Sequence, residues 1–291
     1  MTEPSLPPAA STPTDVLVLP LELRRPRPAN GEELAALVRD LLVHWGVERQ
    51  MVEAVVVDAH LAGSDVTHLR LGASGISLPS LTDPPEEPLP DGVDEVAGRL
   101  EEFELLAEDL RWERSAFDAQ IQAQGLALRW LMRDGLLVGI RFAEEATGSR
   151  GSLRLETDLE PLVESIRLAL NRQLGRHGAR VRKLRARASQ LGERTHRVTG
   201  EAAARWKVLP LSARLSTIAT IDDDLTLRFS EVQVSSLNPL CAVLLAFTRR
   251  QVFEAFAEPV PLREALGPEL TDLAIRLDPR LLIEASFADL R

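Results

Sequence analysis

Three stretches of this chain repeat one plan, a helix followed by extended strands, and that repetition limits the architectures open to it. Asn30 to Trp45 reads as the first helix, with Val52–Leu61 and Thr67–Leu78 as the strands after it. Asp158 to Leu174 reads as the second, followed by Ala179–Gln190 and Arg205–Ala219. Asn238 to Phe256 reads as the third, followed by Leu273–Leu277 and Leu281–Phe287. Leu159, Pro161 and Leu162 open one helix as Leu237, Pro239 and Leu240 open another. Duplication of a unit of about 80 residues accounts for the pattern.

Local signals place the elements. Asn30 is a helix cap with Glu33 three residues on, and Leu34, Leu37, Val38, Leu41, Leu42 and Trp45 form an apolar stripe at helical period. Gly63-Ser64-Asp65 turns one hairpin, and Arg133-Asp134-Gly135 turns another between Gln124–Arg133 and Leu136–Phe142. Val16–Leu23 reads as an edge strand because of Pro20, and Ser152–Glu156 as a short strand. Val96, Leu100, Phe103, Leu106, Ala107 and Leu110 recur at helical spacing and predict a helix over Asp94–Trp112. Asp222-Asp223-Asp224 turns into a strand over Leu225–Val234. Leu262–Leu266 reads as a short helix ahead of a hairpin turning near Asp278-Pro279. The expected fold is therefore α+β, a repeated helix with long curved antiparallel strands. Residues 1–14 read as a disordered Pro/Ser/Thr-rich tail. Residues 15–156 form a first unit, with a Pro-rich acidic loop at 79–93, and 157–291 a second, the two sharing one continuous core or not.

Composition removes several functions. The formal net charge of −10 argues against nucleic acid as the main partner. There is no tyrosine, which excludes tyrosine acid–base chemistry. The single cysteine, Cys241, makes neither an internal disulfide nor a cysteine-based zinc site, and reads as a small buried hydrophobe. Met1-Thr2-Glu3-Pro4 begins no secretory signal, and the longest apolar run, Leu240–Phe247, is too short to span a bilayer. A cytoplasmic location is the expectation.

Reactive constellations are missing from the sequence. His44, His60, His68, His177 and His196 make no metal-binding motif, although His60 and His68 flank a turn that brings them near each other. Asp222 to Asp224 offer carboxylates to a hard cation, but an aspartate-rich hairpin turn is the commoner role. No nucleophile elbow, phosphate-binding loop or dinucleotide fingerprint occurs. No catalytic residue, metal or cofactor is assigned.

Two features point to binding. Between Arg172 and Arg197 nine Lys/Arg residues face one acid, Glu193. Arg180, Arg182, Lys183, Arg185 and Arg187 form a basic patch, suited either to phosphate groups or to a solvated face ion-paired with the acids of residues 83–109. The stretch has no aromatic residue for base stacking. The third helix is apolar nearly all round: Leu240, Val243, Leu244, Phe247, Phe253 and Phe256 make it either a central core helix or the wall of an apolar pocket or dimer seam.

LAGSDVTHLRLGASGISL (61–78) and DDDLTLRFSEVQVSSLNPLCAVLL (222–245) carry a rhythm that resembles the tubular lipid-binding superfamily, over roughly 31–78 and 121–287. The resemblance implies long curved strands with an apolar helix closing a groove for acyl chains, and it brings no catalytic set. The expected function is non-enzymatic binding of an apolar, lipid-like ligand. The alternatives are an intracellular scaffold working through protein partners or homo-oligomers, and, less favoured, a nucleic-acid-binding accessory protein.

Overall fold

The computed structural model of the protein describes residues 16–78, 89–142, 148–175, 178–206, 209–236, 256–266, 269–277 and 280–288. The fold is α+β, built on a mixed sheet, a long antiparallel sheet that curls through 187°, and several helices. The first helix, α1 (Gly31–His44), starts as its cap predicts: the Asn30 side chain accepts from the Glu33 N–H, and the Glu33 carboxylate accepts from the Ala29 N–H. Leu34, Leu37 and Leu41 are buried against the sheet, about 2 kcal/mol for each side chain. A Cβ on Gly31 would lie 1.7 Å from the Ala59 carbonyl oxygen, so glycine sets how closely the helix meets the sheet. A short helix, α2 (Arg49–Glu53), takes the start of the segment expected as strand.

The first sheet joins β1 (Val16–Val18), β2 (Val56–Ala62), β3 (Asp65–Ser74), β4 (Asp94–Trp112), β5 (Ser115–Arg133), β6 (Leu136–Phe142) and β7 (Arg150–Thr157). Two strands from the end of the chain complete it. Its spine is the β4–β5 hairpin, 19 residues on each side. One edge of β5 is shared, its first half pairing with β7 and its second half with β6. The Asp134-Gly135 turn has positive φ at both residues (51° and 78°), the geometry that an Asp-Gly hairpin requires. The β3–β4 pair is parallel, so this sheet is mixed where antiparallel pairing was expected throughout.

Asp94–Trp112 is a strand, not the helix its spacing predicts. Its apolar positions change parity midway, from Val96, Gly98 and Leu100 to Phe103, Leu105 and Ala107. Two period-2 runs out of phase produce steps of three and four residues that imitate a helix. Pairing with β3 on one side and β5 on the other satisfies the backbone and overrides the helical pattern.

The second sheet runs β12-β11-β10-β9-β8, comprising β8 (Ala179–Gly192), β9 (Thr195–Trp206), β10 (Leu209–Ile221), β11 (Thr226–Ser235) and β12 (Val260–Pro261). Helix α3 (Leu159–Gly175) leads into it. After the short helix Leu262–Leu266, β13 (Leu270–Leu277) and β14 (Leu281–Ala288) return to the first sheet, where β14 pairs with β7. Ile221 and Leu225 from the second sheet pack with Leu270, Leu273 and Ala285 from this returning hairpin. That cluster links the two sheets.

Candidate functional site

Strand register in the second sheet sorts its side chains into two faces. Rows across β8, β9 and β10 read Val181–Ala204–Leu211, Leu184–Ala202–Ala213 and Ala186–Gly200–Leu215 on one face. Val234 continues the third row, and Phe229 stands beside Ala219. This face is apolar and floored by small residues. Val181 and Ile221 are buried, but Leu184, Ala186, Ala202, Ala213, Leu215 and Phe229 are only half-buried. Alanine and glycine leave room above the sheet that a leucine- or phenylalanine-filled core would not. The opposite face is polar: Arg185, Glu201 and Arg214 form one row, and Arg187, Thr199 and Ser216 the next. Glu201 sits between Lys183 (2.8 Å) and Arg214 (3.1 Å). The hydrogen bond from Lys183, then the nearby positive charges, hold its carboxyl below the usual range.

Helix α3 lies along β8, the edge of this sheet. Its position is fixed at both ends. Near its start, buried Ser165 approaches Ser115 Oγ at 2.9 Å and the carbonyls of Pro161 and Trp112 at 2.9 and 3.3 Å, and accepts from the Arg114 N–H at 3.1 Å. This pins the helix to the β4–β5 turn. Near its end, the Asn171 amide donates to the Val181 carbonyl (2.9 Å) and accepts from the Val181 N–H (2.6 Å), as a neighbouring strand would. Between these anchors Arg167 forks onto Glu164 at 2.6 and 2.7 Å, which lowers the Glu164 pKa. A cleft of about 1310 Å³ runs between the first turns of α3 and β8 from Arg182 to Ala188.

The basic patch expected from sequence falls on β8, where Arg182, Lys183, Arg185 and Arg187 line this cleft and Arg180 lines a neighbouring hollow with Arg167 and Arg205. Arg180, Arg182, Arg185 and Arg187 are exposed and Lys183 is half-buried. Among the described residues, the acids partnering this segment are not those of the 83–109 range. Lys183 pairs with Glu201, Arg172 with Glu113, and Arg194 with Asp223 and Asp272. The partners come from adjacent strands because register, not sequence distance, sets which charges meet.

Of the apolar helix residues, Leu240, Val243, Leu244, Phe247 and Phe253 lie outside the described residues, as does Cys241. Phe256 is described. It is half-buried and meets Phe229 edge-on, with ring centroids 5.3 Å apart. The apolar face and the end of the predicted helix thus meet at Phe229.

Of the remaining candidates, Asp222 serves the turn it sits in. Asp222 is hydrogen-bonded to Arg228 within the β10–β11 turn, where its carbonyl also accepts from the Leu225 N–H. His60 and His68 are opposed in register with ring centroids 6.1 Å apart, each beside a carboxylate, Asp58 or Glu102. Among the described residues no group of three His, Cys, Asp or Glu side chains is placed to hold a metal. No described helix is long and apolar enough to cross a membrane. Sequence reasoning missed β9, whose signal is the alternation Val198, Gly200, Ala202, Ala204 against Thr199, Glu201, Ala203, Arg205. Such small residues barely register as apolar. Comparison with models of protein families, with curated proteins and with solved structures gives no match.

Proposed function

We propose that the protein is a non-enzymatic binding module for an apolar, lipid-like ligand, held against the apolar face of the second sheet. One observation carries this reading: a small-residue floor of Ala186, Gly200, Ala202, Ala204 and Ala213 that is only half-buried, on a sheet curled through 187°. Apolar surface left open in this way gains by covering, at about 25 cal/mol per Å². An alkyl chain needs a smooth apolar track and few polar contacts, and the alternation of the strands supplies the track. The Phe229–Phe256 pair gives the track an aromatic end. The activity proposed is binding and carriage, with no chemical step.

Titration of the full-length protein with a fluorescent fatty acid tests this. Ala202→Trp and Ala213→Trp each fill the floor without adding charge. Saturable uptake by the wild type, weakened about tenfold or more in each variant while circular dichroism is retained, is the expected result; tenfold corresponds to about 1.4 kcal/mol. No uptake by the wild type, or equal uptake by folded tryptophan variants, contradicts it.

A further inference from the structure

The edge of β8 has backbone groups that the fold does not use. Val181 turns its N–H and C=O away from β9, toward Asn171. A bulge follows between Val181 and Lys183, and pairing with β9 then resumes. Alternation along an antiparallel ladder therefore points the N–H and C=O of Leu184, Ala186 and Ala188 outward. No strand among the described residues pairs with this edge, and no described residue hydrogen-bonds to those groups. They open into the cleft beside α3. An exposed edge of this kind is a template for another strand.

Charge selects the strand. Six cations line the cleft (Arg114, Arg167, Arg182, Lys183, Arg185, Arg187) against three acids (Asp158, Glu160, Glu164). Two of those acids are already engaged, Glu164 by Arg114 and Arg167, and Asp158 by Arg280. The side chains of Arg182 and Arg187 make no hydrogen bond or ion pair with a described residue, and that of Arg185 feels only the more distant charge of Glu201. A second copy of this chain is a poor occupant, because antiparallel self-pairing sets arginine against arginine across the new ladder.

We propose that the open edge of β8 docks an extended acidic segment of a partner protein, which adds to the second sheet beyond β8. Main-chain hydrogen bonds to Leu184, Ala186 and Ala188 supply affinity. Acidic side chains at alternate positions meet Arg185 and Arg187, while the residues between them extend the apolar face beside Ala186. The α3 anchors matter here, since Asn171 closes the edge at Val181 and leaves it open beyond. This edge borders the apolar floor at Ala186, and the docked strand lies beyond the floor's centre at Ala202 and Ala213.

The test is fluorescence anisotropy with the full-length protein and a labelled seven-residue peptide alternating glutamate with valine. Three comparisons accompany it: the same peptide fully N-methylated on its backbone, a ten-residue oligothymidylate, and the variants Ala186→Pro and Arg185→Glu/Arg187→Glu. Proline at an outward-facing edge position leaves the β8–β9 ladder intact. The plain peptide is expected to bind at 50 mM salt, with the N-methylated peptide and both variants each at least tenfold weaker. If Ala186→Pro does not fold, the N-methylated peptide on wild-type protein decides the matter. Absence of binding at 50 mM salt overturns the proposal. Equal binding of the N-methylated peptide or of the oligothymidylate also overturns it, since either result describes a plain anion-binding patch.

Discussion

Replacing Ser165 with alanine should destabilise the protein by about 2–3 kcal/mol. The side chain is fully buried on α3, and its oxygen lies within 3.3 Å of four polar groups on α3 and the β4–β5 turn. A hydroxyl has one proton to give and two lone pairs. In Ser165→Ala the Arg114 N–H loses its acceptor, and buried Ser115 loses its partner at 2.9 Å. Each stranded group costs about 1–1.5 kcal/mol at a site that water does not reach. Deleting one oxygen leaves little cavity, so the loss comes from hydrogen bonding. Urea unfolding followed by tryptophan fluorescence measures it; Trp112, at the same turn, reports the site. Ser189→Ala, at an exposed position on β8, is the control and should stay within about 0.5 kcal/mol. A Ser165→Ala change of that size as well would refute the account of how α3 is fastened.

Gly31→Ala should cost about 3 kcal/mol, because the new methyl meets the Ala59 carbonyl at 1.7 Å and α1 must move off the sheet; a thermal melt within a degree of wild type would contradict this. Burial holds the His196 imidazole below the ordinary histidine value, and the adjoining Ile275 backbone only partly offsets it. The unfolded chain therefore binds the proton more readily, and stability falls as pH drops below about 6.5. His196→Leu should remove that share of the acid sensitivity, and parallel denaturation curves for the two proteins from pH 7 to 5 would count against the assignment. Arg280 bridges Asp118 (3.1 Å), Glu156 (3.0 Å) and Asp158 (3.3 Å). Arg280→Gln should cost about 1 kcal/mol, since the site is partly exposed. The Asp109 N–H, then Arg280, holds the Asp118 carboxyl below its ordinary value. Its contribution is present above about pH 4 and lost as pH falls through that range, so the variant should show a shallower acid limb.

Much of the fold is legible in short-range chemistry. The Asn30 cap, the Asp134-Gly135 hairpin, the Asp222 turn and the hairpin after Leu262–Leu266 depend on residues within a few positions of one another, and each forms where its residues indicate. What was not legible depends on partners distant in sequence. β4 reads as a helix because its apolar side changes parity at Leu100–Phe103, and only β3 and β5 reveal it as a strand. The basic character of β8 was plain, but its ion-pair partners were not, because Glu201 reaches Lys183 through the register of β9. Asn171 and Ser165 carried no signal at all. A single polar residue on a helix announces neither the strand edge it closes nor the turn it fastens.

The most direct test of the central claim is native mass spectrometry of the full-length protein purified without detergent. The account predicts mass above the bare chain, released on denaturation as an apolar molecule soluble in organic solvent, and lost in the Ala202→Trp variant. A spectrum holding only the bare chain, unchanged after incubation with a long-chain fatty acid, would contradict it.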